Sequence, residues 1–257
     1  MKAKLNQITQ KIKIPAIAGI LAICLAGGSQ SAKAQLYDVQ FSDPANYTAM
    51  SGAAVWGSAG DVWNNYLVNW SYDNNPNPMT LADTTGNSSA GVTVGVWNYG
   101  GPSYWASGNT TVANPAALMD DYIYSAPAGD GWPIRAELGG LADDASYQLV
   151  VYASGNASGQ GATISLATDS TFSTILQSVV TTGNDRDITQ GQGDAYQIFS
   201  GTTSATGTID FEVANTSQYH ALNGLQLDVE SVPEPGTYAL VLSGAGALLG
   251  FRARRKA

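Results

Sequence analysis

Hydrophobic residues alternate with polar ones in many short segments of the chain, which is the pattern of half-buried β-strands. In the first such segment Tyr37, Val39 and Phe41 alternate with polar residues. The segment at 147–153 is apolar at most positions and predicts a central strand that is buried on both faces. The remaining predicted strands are centred on Val92-Val94-Val96, Ile134-Ala136-Leu138, Ile164-Leu166, Tyr196-Ile198, Ile209-Phe211-Val213 and Leu225-Leu227-Val229.

Short polar turns separate these segments, and one helix is expected among them. Clusters of Gly, Asn and Ser fill residues 154–161 and 201–207, as turns require. Asn114 followed by Pro115 is typical of a helix N-terminus, so we predict a helix at 116–124. Regularly spaced short strands with such turns predict an all-β domain, either a β-sandwich or a jelly roll.

The first 34 residues have the three zones of a secretory signal peptide. Four lysines precede an apolar run at 14–28, and Ala32 and Ala34 form a small-x-small cleavage site before Gln35. We expect a signal-peptide helix over 1–34 that directs the chain to the Sec export machinery and is then removed. A retained membrane anchor is the alternative, but the run of 15 residues is shorter than the ~20 that a spanning helix needs.

Cys24 is the only cysteine of the chain and lies within this leader. Ile23 precedes it, where a lipoprotein signal needs a small residue, so we interpret Cys24 as an apolar filler. The mature domain would then contain no disulfide, no thiol nucleophile and no cysteine-bound metal.

The last 26 residues again fall into three zones: a proline-containing motif at 232–237, an uncharged apolar stretch at 238–251 and a basic end at 252–257. The prolines disfavour helix before them, whereas the apolar stretch predicts a hydrophobic helix. Basic residues after an apolar segment stay cytoplasmic, so this helix would anchor the chain transiently in the inner membrane with the 35–231 domain outside. The motif consists of Val232, Pro233, Glu234, Pro235, Gly236 and Thr237.

This tail resembles the PEP-CTERM sorting signal, with Pro233-Glu234-Pro235 as the triplet that names it. Gly236 stands where many members of that family have serine, and we expect no consequence. The resemblance implies recognition by an exosortase, a membrane protease that cleaves near the motif and removes the apolar segment. It also implies a Gram-negative, exopolysaccharide-making host and a final location at the cell surface or in the extracellular matrix.

The 35–231 domain is strongly acidic. It contains 19 acidic residues and only two basic ones, Arg135 and Arg186, so its net charge is near −17. Such a surface repels phosphate backbones, and we therefore expect no nucleic-acid partner. The charge suits exposure outside the cell or the binding of cations.

Aromatic residues concentrate around Gly100, Gly101 and Pro102, which predict a surface loop. Flat rings beside amide groups suit stacking on sugar faces, so this segment is a candidate glycan contact. The alternative is that the rings fold inward and cap the sandwich. The candidate contact residues are Trp97, Asn98, Tyr99, Tyr104 and Trp105.

Asp185, Asp187 and Asp194 lie in a glycine-rich segment and form a candidate calcium site, because calcium prefers oxygen ligands. The segment lacks the full EF-hand pattern, and Arg186 lies between two of the acids. A solvated turn is therefore the interpretation that we favour, and no other cofactor is expected.

The sequence predicts no catalytic residue. Glu137 and Glu212 lie in predicted strands and would be the carboxylate pair of a glycosidase, but no spacing selects them. His220 is the only histidine, and it is expected in a turn before the last strand. The chain has no G-x-S-x-G nucleophile elbow, no P-loop and no dinucleotide fingerprint.

Residues 134–230 also resemble the carbohydrate-binding-like β-sandwich modules of surface proteins. The resemblance rests on 135–141, on the strand at 147–153 and on Leu222-Asn223-Gly224-Leu225-Gln226-Leu227. It implies a fold more than an activity. The first hypothesis is a non-catalytic surface or matrix protein that binds exopolysaccharide or is embedded in it. A secreted glycan-active hydrolase and a purely structural surface protein without a ligand are the alternatives.

Overall fold

The computed structural model describes residues 34–44, 47–67, 78–88, 90–97, 103–106, 115–125, 132–155, 160–183, 186–215 and 219–230. Residues Ala34–Val232 form one compact unit. Met1–Lys33 and Pro233–Ala257 make up a second unit, which lies outside the described residues together with the predicted signal-peptide and sorting helices. None of the helices in the described residues has the length and apolar character that crossing a membrane requires.

About half of the described residues of Ala34–Val232 lie in β-strands, and their one α-helix, α1, is a single turn at Ala116–Met119. A 3-10 turn at Ile188–Gln190 is the other helical element. The strands, β1 to β14 in chain order, are Gln35–Ser42, Trp63–Leu67, Met79–Thr80, Thr93–Trp97, Ser103–Ala106, Asp121–Ser125, Ile134–Gly139, Ser146–Tyr152, Ala162–Ala167, Ile175–Val180, Tyr196–Thr202, Ile209–Asn215, His220–Leu222 and Gly224–Val229.

These strands form three sheets. The five-stranded sheet has the order β11-β8-β14-β1-β2, the six-stranded sheet has the order β10-β9-β12-β7-β4-β3, and β13-β6-β5 make a small third sheet. The pairing is antiparallel apart from β1 with β2, which is parallel. The first and last strands are neighbours, with Gln35 opposite Val229.

The main hydrophobic core lies between the two large sheets. Tyr37, Val39 and Phe41 supply it from β1, and Phe211 and Val213 supply it from β12, all fully buried. These side chains come from every second residue, so the strand period of two sends one face of each sheet inward. The predicted all-β sandwich is confirmed, and so are all of the predicted strand centres.

The predicted helix at 116–124 is mostly wrong. Only Ala116–Met119 is helical, and Asp121–Ser125 is strand β6. In β6, Ile123 pairs with Leu222 of β13 and Tyr104 of β5. Sheet pairing on both edges thus overrides the local helix-start signal. Asn114, the predicted N-cap, lies outside the described residues.

A second apolar cluster covers the outward face of the five-stranded sheet. It combines Val150 and Tyr152 of that sheet with Met50, Leu118 and Met119. As a result, the polar side chains on the outward face of β1, among them Asp38 and Gln40, are fully buried under this layer. The alternation in β1 predicts a solvated polar face, and the structure instead covers that face.

The buried side-chain amide of Gln40 forms several hydrogen bonds in this layer. Gln40 Nε2 lies 3.0 Å from the Thr48 carbonyl, 2.6 Å from the Ala117 carbonyl and 3.3 Å from Asp121 Oδ2. Its Oε1 accepts a 2.8 Å bond from Met50 N–H. Gln40 therefore connects β1 to the covering segment and to α1.

Candidate functional site

The outward face of the six-stranded sheet carries a row of polar side chains in register. From β10 to β4 the row contains Ser178, Ser165, Glu212, Arg135 and Trp97, each paired with the next across neighbouring strands. We call these residues the polar row. One residue from each of five adjacent strands thus contributes to a line across the sheet face.

Side-chain contacts hold the polar row together. Arg135 Nε donates to Glu212 Oε2 at 3.3 Å, with side-chain exposures of 19% and 17%. The hydroxyls of Ser165 and Ser178 lie 3.0 Å apart. Both side chains are only partly exposed, so the Arg135–Glu212 pair makes a small contribution to stability.

Phe172 lies over the aromatic end of the polar row. Its ring centroid is 4.5 Å from the guanidinium carbon of Arg135, and it contacts the Trp97 ring edge-on at 6.4 Å. The backbone of Phe172 has φ +57°, a conformation that residues other than glycine rarely adopt. The hairpin loop between β9 and β10 therefore combines a strained backbone at Phe172 with a cation–π contact between its ring and Arg135.

A pair of carboxyl groups lies beside the polar row. Asp210 of β12 pairs with Glu137 of β7, one step along the same face. Asp210 is 3% exposed, and its Oδ1 has no hydrogen-bond partner. Burial, together with the charges of Glu137 and Asp169, raises the pKa of Asp210 to about 6, and a hydrogen bond from Thr208 opposes the rise.

The polar row combines a guanidinium, a carboxylate and two hydroxyls, and the half-buried Phe172 ring lies at one end of it. Guanidinium and hydroxyl groups donate hydrogen bonds, and carboxylate and hydroxyl oxygens accept them. Aromatic faces pack on apolar ring faces. A surface with both functions can recognise a flat, hydroxyl-rich ligand such as a sugar.

A shallow cleft of about 300 Å³ lies at one end of the sandwich. Threonine and serine make up half of its lining residues, and Leu176 and Tyr147 supply apolar surface. The hydroxyl-bearing residues are Thr168, Thr202, Thr203, Ser204 and Thr208.

The predicted aromatic contact segment is only partly described. Trp97 ends strand β4 and is 5% exposed, so its ring packs rather than stands free. Tyr104 and Trp105 belong to strand β5 and not to a loop, which corrects the predicted loop. Asn98 and Tyr99 lie outside the described residues. Contact of these residues with a glycan stays a prediction.

The predicted calcium ligands make local turn contacts. Asp187 caps the 3-10 turn and accepts bonds from Thr189 N–H at 2.9 Å and Thr189 Oγ1 at 2.7 Å. Asp194 accepts a bond from the Thr182 hydroxyl, and Asp185 lies outside the described residues. Where the chain is described, no three His, Cys, Asp or Glu side chains form a group able to hold a metal ion.

Glu137 and Glu212 share the outward face of the six-stranded sheet, but Glu212 is paired with Arg135 and Glu137 faces Asp210. His220 begins strand β13 and is fully buried, so the predicted turn position is wrong. Burial lowers the pKa of His220 to about 4.

Arg135, Phe172 and Asp210 were not predicted from the sequence as members of a site. One signal was available: Arg135 is one of only two basic residues in a domain with 19 acids. Its position opposite Glu212 depends on strand register, which no local pattern gives.

The C-terminal residues match a known sorting signal. The description of the matching family is "PEP-CTERM protein-sorting motif", and the match covers residues 231–256. The chain carries a PEP-CTERM sorting motif. This motif implies export of the chain and its exosortase-dependent sorting to the cell surface or extracellular space. The match includes the predicted motif residues 232–237, and the predicted resemblance is confirmed.

Several solved structures resemble part of this chain. A family 35 carbohydrate binding module from Clostridium thermocellum is 12% identical, and the match covers 52% of this chain and 90% of that module, with a TM-score of 0.31. The K3 cleaved adhesin domain of Lys-gingipain from Porphyromonas gingivalis is 13% identical, with 42% and 74% covered and a TM-score of 0.29.

An isomalto-dextranase from Arthrobacter globiformis is 13% identical, with a TM-score of 0.30. The match covers 52% of the PEP-CTERM chain but only 23% of the dextranase. At these TM-scores none of the three proteins defines a site on the PEP-CTERM chain. No curated protein matches the chain by sequence.

Proposed function

We propose that the Ala34–Val232 unit is a non-catalytic binding component of an extracellular matrix and that it holds exopolysaccharide through the polar row. The observation that carries this proposal is the alignment of Arg135, Glu212 and two serines on one sheet face, beside the Trp97 and Phe172 rings. The sorting motif supports a location where such a polymer is present.

The charge of the surroundings favours a neutral glycan over a polyanionic one. Glu137 and Asp210 lie next to the polar row, in a domain with 19 acids and 2 bases. A uronic-acid polymer would meet like charge there. A hydroxyl-rich neutral polymer would exchange hydrogen bonds with Arg135 and Glu212 without that repulsion.

Arg135→Ala is expected to abolish the retardation of the Ala34–Val232 unit in gels that contain the exopolysaccharide of the producing cells, because it removes the main donor group. The measurement is affinity electrophoresis. Gln148→Ala is the matched control, since Gln148 is exposed on the other large sheet, and it should migrate as the unchanged unit does. Equal retardation of all three proteins would contradict the polar row as the site.

The aromatic segment is tested in the same gels, and the calcium site is tested by thermal unfolding. If Trp105 contacts glycan, Trp105→Ala reduces retardation with the fold intact. If Asp185, Asp187 and Asp194 bind calcium, calcium raises the midpoint of thermal unfolding and a chelator reverses the rise. An unchanged midpoint would contradict the calcium hypothesis.

Hydrolysis of a matrix glycan is the second candidate function, and the facing carboxyl groups of Glu137 and Asp210 favour it. A glycosidase needs one protonated and one ionised carboxyl group, and the raised pKa of Asp210 would supply the former. Release of sugar that Glu137→Gln abolishes would establish this function and replace the non-catalytic proposal. A purely structural role predicts neither sugar release nor retardation.

The remaining partners proposed for the chain belong to its export and sorting. The chain would pass through the Sec machinery, stay briefly in the inner membrane through the 238–251 segment, and be processed by an exosortase.

A further inference from the structure

A short segment of the chain lies across the outward face of the five-stranded sheet. We call it the strap, and it consists of residues 48–56. Met50 belongs to the second apolar cluster together with Val150 and Tyr152 of β8, and Val55 and Trp56 pack against the same cluster. The strap is therefore part of the cover that buries the outward polar side chains of β1.

In the described part of the chain, the strap is bonded to the strands beneath it through their side chains. The backbone pairing that it shows there is an isolated bridge between Ser51 and Val62. A segment held in this way can move without breaking the hydrogen-bond ladder of a sheet. Four of its N–H groups donate to side chains of four different strands: Thr48 to Asp121 Oδ2 at 3.0 Å, Met50 to Gln40 Oε1 at 2.8 Å, Val55 to the Tyr152 hydroxyl at 3.1 Å and Trp56 to Gln226 Oε1 at 3.0 Å.

The carboxyl group of Asp38 lies beneath the strap. It is fully buried, and among the described residues its Oδ2 has no hydrogen-bond partner. Its Oδ1 accepts a 2.9 Å bond from Gln226 Nε2, which also lies 3.1 Å from the Trp56 carbonyl oxygen. The side chain of Gln226 therefore connects the buried carboxyl group directly to the strap.

The charges around Asp38 do not favour its ionised form. Asp61, which follows the strap, adds a like charge. Arg186 is the one cation among these described groups, and it is paired with Asp120 at 2.7 Å. The titratable and charged groups on the elements around Asp38 are Asp61, Asp83, Tyr152, Tyr196 and Asp228, and those around Gln40 are Asp43, Asp120, Asp121 and Arg186.

We propose that the strap opens with rising pH: it stays closed over the five-stranded sheet while Asp38 is protonated, and it opens locally, without unfolding of the sandwich, once Asp38 is ionised. Opening brings water to the carboxylate, which an ionised group needs and a protonated one does not. With burial as the largest cause, the pKa of Asp38 is raised to about 7 and that of Asp121 to about 6. The closed form is therefore favoured at acidic pH and loses this advantage as the pH rises to about 7.

Opening changes which surface the domain presents. Val150 and Tyr152 are fully buried in the closed form, and they lie on the face that the strap covers. The domain would hide this apolar face in acidic surroundings and expose it in neutral or alkaline ones. The polar row lies on the other large sheet, so this proposal does not rest on glycan binding.

Hydrogen exchange of the full chain in detergent, followed by mass spectrometry, tests the proposal. The readout is the protection of peptides from the strap, corrected for the intrinsic exchange rate at each pH. Between pH 5 and pH 8 this protection is expected to fall roughly 50-fold more in the unchanged chain than in Asp38→Asn. Glu230→Gln, at an exposed position, is the matched control and should behave as the unchanged chain does.

Peptides from β12, a strand of the six-stranded sheet, separate local opening from global unfolding. At pH 8 they should remain at least about tenfold more protected than the strap. Equal protection of β12 and the strap would mean that the strap moves only when the whole domain unfolds, and the proposal would be wrong.

An equal fall of strap protection in the unchanged chain and in Asp38→Asn would also overturn the proposal, because Asp38 would then not control the strap. If Asp38→Asn does not fold, the unchanged chain decides alone. A corrected strap protection that stays constant from pH 5 to pH 8 contradicts the proposal. A fall of roughly 50-fold or more, with β12 still better protected, supports it.

Discussion

Gln40→Ala is expected to lower the free energy of unfolding of the Ala34–Val232 unit by about 4 kcal/mol. The amide of Gln40 is fully buried and bonds to Thr48, Ala117, Asp121 and Met50. Truncation leaves these buried groups without their partner, and each unsatisfied group costs about 1–3 kcal/mol. Urea unfolding followed by circular dichroism measures the change.

Gln148→Ala is the control for this prediction, because Gln148 is exposed in strand β8 of the same sheet. A surface change of this kind stays within about 0.5 kcal/mol. If Gln40→Ala were as mild as Gln148→Ala, the covering layer over the five-stranded sheet would not depend on the Gln40 bonds.

Asp38→Asn is expected to flatten the dependence of stability on pH. Burial, opposed by a hydrogen bond from Gln226 and helped by the Asp61 charge, raises the pKa of Asp38 to about 7. A raised carboxyl pKa means that the folded state favours the protonated form. The contribution of Asp38 to the unfolding free energy is therefore largest below a pH of about 4 and is lost as the pH rises to about 7.

The wild-type unit should lose about 2 kcal/mol more stability than Asp38→Asn between pH 5 and pH 8. Urea unfolding at the two pH values gives this difference directly. Glu230→Gln, at an exposed position, should keep the wild-type dependence. A variant curve parallel to the wild-type curve would show that Asp38 is ionised in the folded domain at pH 5.

Other buried groups make the comparison of variants necessary. Burial raises the pKa values of Asp121 and Asp210 to about 6, so they also destabilise the fold as the pH rises from about 4 to 6. Burial lowers the pKa of His220 to about 4. The contribution of His220 is therefore present above its ordinary pKa near 6.5 and is lost as the pH falls toward 4.

The strand residues that face the core were predictable, because alternation of apolar and polar residues indicates which face of a strand is buried. Ile134, Ala136 and Leu138 are predicted to face inward, and all three are fully buried. The same alternation failed on β1, where Asp38 and Gln40 are polar and yet buried. A strand pattern cannot show that a later segment covers the polar face, since that cover depends on tertiary contacts.

The strands that escaped prediction are short or lack alternation. Strand β10 has the sequence ILQSVV, with exposed residues on both faces, so its pattern shows no buried side. Strand β6 contains DYIYS after a helix-start signal, and its two neighbours in the sheet decide its conformation. Both cases depend on partners distant in the chain.

The sequence shows which residue types are abundant or rare, but it does not show which residues of the candidate site lie together. The abundance of acids and the rarity of arginine are visible in the composition. The meeting of Arg135 with Glu212 needs the β7–β12 register. The contact of Phe172 with Arg135 needs the hairpin loop between β9 and β10 to fold back, which neither residue signals locally.

The central place of β14 in its sheet has a mechanical consequence. This strand is bonded to β8 on one side and to β1 on the other, and the sorting motif follows it in the sequence. A pull on the tail directed along β14 would load both ladders in shear, so many hydrogen bonds would have to break together. A domain dragged by a flowing polymer would then resist extraction far better than if its tether left from an edge strand, which peels one bond at a time.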